Sequence, residues 1–75
     1  MRVKRYIKAI TNYYREQKKY QDATEREDKE WTRRKLLDRT VRFKLQADGL
    51  RKELRENGYN DEMIERLDDI ARRLV

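Results

Sequence analysis

The sequence contains no cysteine, histidine, proline or serine, and only two glycines. Without cysteine there is no disulfide and no thiolate ligand, and without histidine the commonest metal ligand is gone. With serine missing too, the usual nucleophile–base arrangements cannot be assembled. The expectation is therefore a chain that is not an enzyme and holds no metal or cofactor. The lack of proline and near-lack of glycine leave no visible linker or low-complexity tail. No apolar run approaches the ~20 residues that span a bilayer. The basic first segment is flanked by tyrosine rather than deep-burying Leu or Phe, which weakens membrane-surface binding, so a membrane partner is not expected. The basic start, Met1 to Ile10, lacks the uninterrupted apolar stretch of a secretory signal. A cysteine-free chain suits a reducing cytoplasm, which is the expected location.

What the sequence does contain is charge: 48% of its 75 residues are charged and 36% are hydrophobic. That length allows one small domain (1–75), and a chain so short buries only about 60% of its unfolded surface. With neither disulfide nor metal to help, association is the remaining stabiliser. A homo-oligomer that also meets a larger protein partner is expected. The charge is unevenly placed. Residues 1–20 carry a net +6, residues 21–40 are neutral, residues 41–60 carry +2 and residues 61–75 carry −2. The excess of the whole protein equals that of its first segment.

The spacing predicts an all-α fold of two to three helices: a long central helix, a C-terminal antiparallel helical hairpin, and coiled-coil-like seams. In the first segment (1–21), Val3, Ile7, Ile10, Tyr14, Gln17 and Gln21 alternate by four and three, with Tyr6, Tyr13 and Tyr20 flanking that seam. Lys4, Lys8, Arg15 and Lys19 form an opposite, basic stripe. In the central segment (24–57), Leu36, Thr40, Phe43, Ala47, Leu50 and Leu54 keep the same alternation. Asp22/Arg26, Glu25/Lys29, Glu30/Arg34, Asp38/Arg42 and Asp48/Lys52 place an acid four residues before a base, an order that favours helix. Thr24 and Glu27 have capping-box spacing, and the two seams are one residue out of phase. A turn near Gln21–Thr24 accounts for both, although a local adjustment of a continuous helix around Trp31–Lys35 accounts for the phase as well.

The second boundary is sharper. Asn57-Gly58 offers a left-handed cap, Tyr59 is placed to touch Leu54 and Ile64, and Asn60 or Asp61 caps the last segment (60–75). Acids at its start and Arg72 and Arg73 near its end complement the helix dipole. Met63, Ile64, Leu67, Ile70, Ala71 and Leu74 supply its apolar face, which is expected to pack back along Phe43–Leu54. Leu36, Phe43, Leu50, Leu54, Ile64, Leu67 and Ile70 are thus the expected core or oligomer seam. The acids Asp61, Glu62, Glu65, Asp68 and Asp69 spread around the helix, and three have a base four residues on, so they read as a solvated face rather than a cation site.

Val41–Ala47 also alternates apolar and polar, a strand period, and Asp48-Gly49 is turn chemistry. A strand followed by two helices resembles the ribbon-helix-helix family of DNA-binding dimers. The resemblance covers residues 41–75 and implies that Arg42, Lys44 and Gln46 face the bases while Phe43 and Leu45 turn to the core. Two features depart from that pattern: the helix before Gly58 is about a turn too short, and forty residues of helix-like sequence precede the ribbon.

The functional reading is a helical interaction module, a small regulator or adaptor that self-associates and docks on a larger protein. The alternative is a nucleic-acid-binding protein, in which Lys4, Lys8, Arg15 and Lys19 neutralise phosphates and Tyr6, Tyr13 and Tyr20 stack on bases. Against that, the tyrosines have the spacing of core residues and the lysines that of a solvated face. Trp31, alone in a polar run, is either an interface anchor or the cover of the junction between the first two helices.

Overall fold

The computed structural model describes residues 2–75, with Arg2 described by its backbone alone. Met1, counted in the expected first helix, lies outside the described residues. Three helices follow in order: α1 (Arg2–Glu25), α2 (Glu30–Glu56) and α3 (Asp61–Arg73). No strand occurs among the described residues. Val41–Ala47 lies inside α2, so the ribbon is not formed. Helix pairing wins there because Thr40, Ala47 and Leu54 reach the core at the four-and-three spacing of a helix.

α1 and α2 pack antiparallel along most of their length: Tyr6 meets Arg51 near one end, and Tyr20 lies near Arg33 and Leu37 at the other. The long dimension of the molecule, 44 Å, is close to the ~40 Å that the 27 residues of α2 span. α3 turns back from the end of α2 and runs in the sense of α1, with Tyr6 meeting Asp68 and Arg72 lying over the Tyr14 ring. Its main support is α1, not the Phe43–Leu54 stretch of α2 expected from sequence. The expected hairpin turn forms, but the surface it packs on differs.

Both connections end a helix in the same way. At the second, Tyr59 N–H donates to Leu54 O and Gly58 N–H to Arg55 O, with Gly58 at φ 93°. That is a Schellman cap, and glycine takes its left-handed position without strain. At the first, Asp28 N–H donates to Ala23 O and Glu27 N–H to Thr24 O, with Glu27 at φ 55°. The Thr24/Glu27 capping box is therefore absent. Thr24 belongs to α1, its hydroxyl donating to Tyr20 O at 2.9 Å, and Glu27 occupies the left-handed position itself. α2 begins six residues later than the sequence predicts, and its N-cap, Lys29, makes no side-chain cap. Asp22/Arg26 and Glu25/Lys29 accordingly do not share a helix. α3 starts as expected, with the Asn60 side chain accepting from Met63 N–H at 2.9 Å.

The core consists of Tyr6, Ala9, Ile10, Ala47, Leu54, Ile64 and Ala71. The α2 seam is as read from sequence: Thr40, Ala47 and Leu54 are buried, and Leu36, Phe43 and Leu50 half-buried. The α1 seam is rotated. Tyr6 is fully buried and Gln21 exposed, because the buried line runs through Val3, Tyr6, Ile10 and Tyr13 beside Ala9, Glu16 and Ala23. Ile64 is buried and Leu67 half-buried, whereas Ile70 is 44% exposed and is corrected from a core to a surface position.

One polar cluster ties the three helices together. The Tyr6 hydroxyl donates to Asp68 Oδ1, Arg51 Nη2 donates to the Tyr6 hydroxyl at 2.9 Å, and the same nitrogen reaches Asp68 Oδ2 at 2.8 Å. Asp68, read as one of the surface acids of α3, is buried and paired with Arg51 instead of Arg72.

Candidate docking surface

Turning Tyr6 and Ile10 inward fixes where the cations of α1 point. Lys4, Lys8 and Arg15 are exposed, and they gather around a shallow depression of about 350 Å³. Ile7 of α1 and Leu74, the C-cap of α3, line it together with Thr11 and Asn12. Thr11 is buried, and its hydroxyl has no hydrogen-bond partner among the described residues. Lys4, Lys8 and Arg15 form no ion pair among the described residues either. This is a cationic rim around an apolar floor.

Lys19, the fourth residue of the expected stripe, stands apart. Its ammonium donates to Glu16 Oε1 at 3.3 Å. The tyrosines divide as well. Tyr6 is 0% exposed and cannot stack on a base, so its assignment as a binding residue is corrected: it belongs to the core. Tyr13 is half-buried, stacked obliquely on Tyr14 at 5.4 Å between ring centroids. Tyr20 is half-buried beside Glu30, Arg33 and Leu37. Trp31, 66% exposed, does not cover the junction between helices.

A second depression of about 400 Å³ lies between α1 and α2, lined by Arg5, Lys8, Ala9, Asn12, Gln46 and Leu50. Lys8 and Asn12 line both depressions and so stand on the ridge between them. Farther along, Glu16, Arg39 and Arg42 line a further depression together with Phe43 and Gln46. Sequence reading missed Arg5 and Arg39 as part of a basic surface, and offered Arg42 only as a base-facing residue of a ribbon that does not form. The available signal was their position beside core residues: Arg5 precedes Tyr6, and Arg39 and Arg42 flank the seam at Thr40 and Phe43.

Burial and Asp68 push the Tyr6 hydroxyl up to about 12, with burial the larger cause and Arg51 opposing. The Tyr14 hydroxyl raises the Arg72 guanidinium above its ordinary value. Among the described residues, no three His, Cys, Asp or Glu side chains are grouped to hold a metal ion. None of their helices is long and apolar enough to cross a membrane. No protein-family model, curated protein or solved structure matches the chain.

Proposed function

We propose that this chain is a non-enzymatic helical interaction module of the cytoplasm, which self-associates and docks on an acidic, amphipathic helix of a larger protein. The observation that carries the docking reading is the apolar floor of Ile7 and Leu74 inside the rim of Lys4, Lys8 and Arg15. A helix with leucines at four-and-three spacing and flanking glutamates complements both parts: the leucines remove the floor from water, and the carboxylates meet the cations. A nucleic-acid backbone matches the rim but leaves the floor wet. Burial of Tyr6 also removes one of the three proposed stacking platforms.

The test is titration of the chain with a synthetic helix of that design, alongside single-stranded and duplex DNA and RNA. The peptide is expected to bind, and to lose at least about tenfold in affinity when Lys4, Lys8 and Arg15 become glutamine or when Leu74 becomes alanine. Nucleic acid that binds more tightly than the peptide, indifferent to Leu74→Ala, would transfer the function to the alternative reading.

A further inference from the structure

α2 has a face that α1 and α3 leave largely exposed, with Tyr20 of α1 beside it only at the end holding Glu30 and Leu37. Thr40, Ala47 and Leu54 point to the core, while Leu37, Val41 and Leu45 on another line of the same helix are 42%, 47% and 66% exposed. Four-residue steps align these three side chains into one stripe. The charged residues around it are Glu30, Arg34, Asp38, Lys44, Asp48 and Lys52, all exposed.

Centred on Val41, this face is its own complement. Asp38 and Lys44 lie three residues to either side, Leu37 and Leu45 four, Arg34 and Asp48 seven, and Glu30 and Lys52 eleven. Those steps return to one side of a helix, and every mirrored pair is either two leucines or two opposite charges. We propose that the stripe is a homodimer interface, in which α2 packs antiparallel against α2 of a second copy with the twofold axis at Val41. The inference rests on the self-association half of the proposed function and names its surface.

In this arrangement Leu37 packs on Leu45 of the partner subunit, and Asp38 lies level with Lys44 of the partner subunit. A twofold contact repeats each interaction. The Glu30–Arg34 ion pair, 3.0 Å within one chain, lies against Lys52 and Asp48 of the partner subunit, giving an alternating group of four charges at each end. Two alternative arrangements are less complementary. A parallel in-register pair sets Asp38 on Asp38 and Lys44 on Lys44. An antiparallel pair slid by seven residues sets Val41 against Asp48 or Arg34. Glu30 to Lys52 spans about 33 Å of helix, a small interface, and micromolar affinity is expected.

The experiment is analytical ultracentrifugation from about 1 to 200 μM, with circular dichroism to verify folding; all substituted positions are exposed. The wild type is expected to dimerise. Asp38→Lys places lysine opposite lysine twice, and Lys44→Asp places aspartate opposite aspartate twice, so each alone should weaken dimerisation at least about tenfold. Mixed in equal amounts, the two variants present lysine at positions 38 and 44 of one chain to aspartate at both positions of the other, and should regain close to wild-type affinity as a heterodimer. A wild type that stays monomeric at 200 μM overturns both the inference and self-association. Variants that dimerise like the wild type overturn the inference alone and move self-association to another surface. Failure of the mixture to recover affinity overturns the antiparallel register.

Discussion

The Tyr6 hydroxyl donates to the Asp68 carboxylate across 62 positions of sequence, joining the first turns of α1 to the middle of α3. Arg51 of α2 completes the contact by donating to both. A partly buried carboxylate is costly when left without its cation. Arg51→Met should therefore destabilise the fold by about 3 kcal/mol. Replacing all three with apolar residues (Tyr6→Phe, Arg51→Met, Asp68→Leu) should bring stability back to within about 1 kcal/mol of wild type, because no group is left uncompensated. Urea unfolding of the wild type, Arg51→Met and the triple variant checks this non-additivity.

The same contact makes stability depend on alkaline pH. Tyr6 titrates near 10 when unfolded and at about 12 when folded. Its stabilising contribution is complete below pH 10, where both states hold the proton. It is lost as pH rises from 10 towards 12, because the unfolded chain releases the proton first. Between pH 9 and 11.5 the urea midpoint of the wild type should fall further than that of Tyr6→Phe, which has no hydroxyl to titrate.

The first turn is the weakest-built element. Glu27 holds a left-handed conformation that suits glycine, and Lys29 caps α2 without a side-chain bond. Glu27→Gly should stabilise by roughly 0.5–1 kcal/mol by removing the strain on Cβ. Lys29→Asp should add about 1 kcal/mol by giving α2 a side-chain cap. Thermal melts of the single and double variants test both. The matching turn at Gly58 should respond oppositely, Gly58→Ala being destabilising.

These sites also mark what could be read from the sequence. The α2 seam and the Asn57-Gly58 turn were legible because apolar spacing and glycine carry local signals. The first turn was misplaced because a glutamate in the left-handed region leaves no compositional trace, and Thr24/Glu27 mimics a cap. Tyr6 was assigned to a flank because tyrosine suits either a seam or a surface, and Ile7 offered a more apolar alternative. Asp68 was assigned to solvent because Arg72 stands four residues on, while its actual partners lie on other helices. For the docking surface, the cations of α1 were legible in the sequence. The floor was not, because Leu74 joins Ile7 only through the packing of α3 on α1.

Burial should separate substitutions that look alike in sequence. Leu54 is fully buried and Phe43 half-buried, although both lie on the same seam. Leu54→Ala should cost about 2–5 kcal/mol, and Phe43→Ala should fall at or below the lower end of that range. Chemical denaturation ranks them; equal losses would mean that Phe43 is covered in solution by a second chain.

The cations of α1 should prove unequal in binding. Lys4, Lys8 and Arg15 have no carboxylate partner among the described residues, whereas Lys19 holds Glu16 at 3.3 Å. An anionic partner meets the first three as free charges, but gains from Lys19 only by competing with Glu16. Glutamine at Lys4, Lys8 or Arg15 should each weaken acidic-peptide binding and reduce its salt dependence. Lys19→Gln should do little, and Glu16→Gln should strengthen binding by releasing Lys19. If nucleic acid is the true partner, log affinity should instead fall against log salt by about 0.7–0.9 per phosphate contacted. The three glutamine substitutions together should then flatten that slope by two to three units without the Leu74→Ala sensitivity of the peptide. Titrations at 50 and 200 mM salt distinguish the two, since loss of the apolar contact changes affinity at both concentrations while loss of a charge changes the slope.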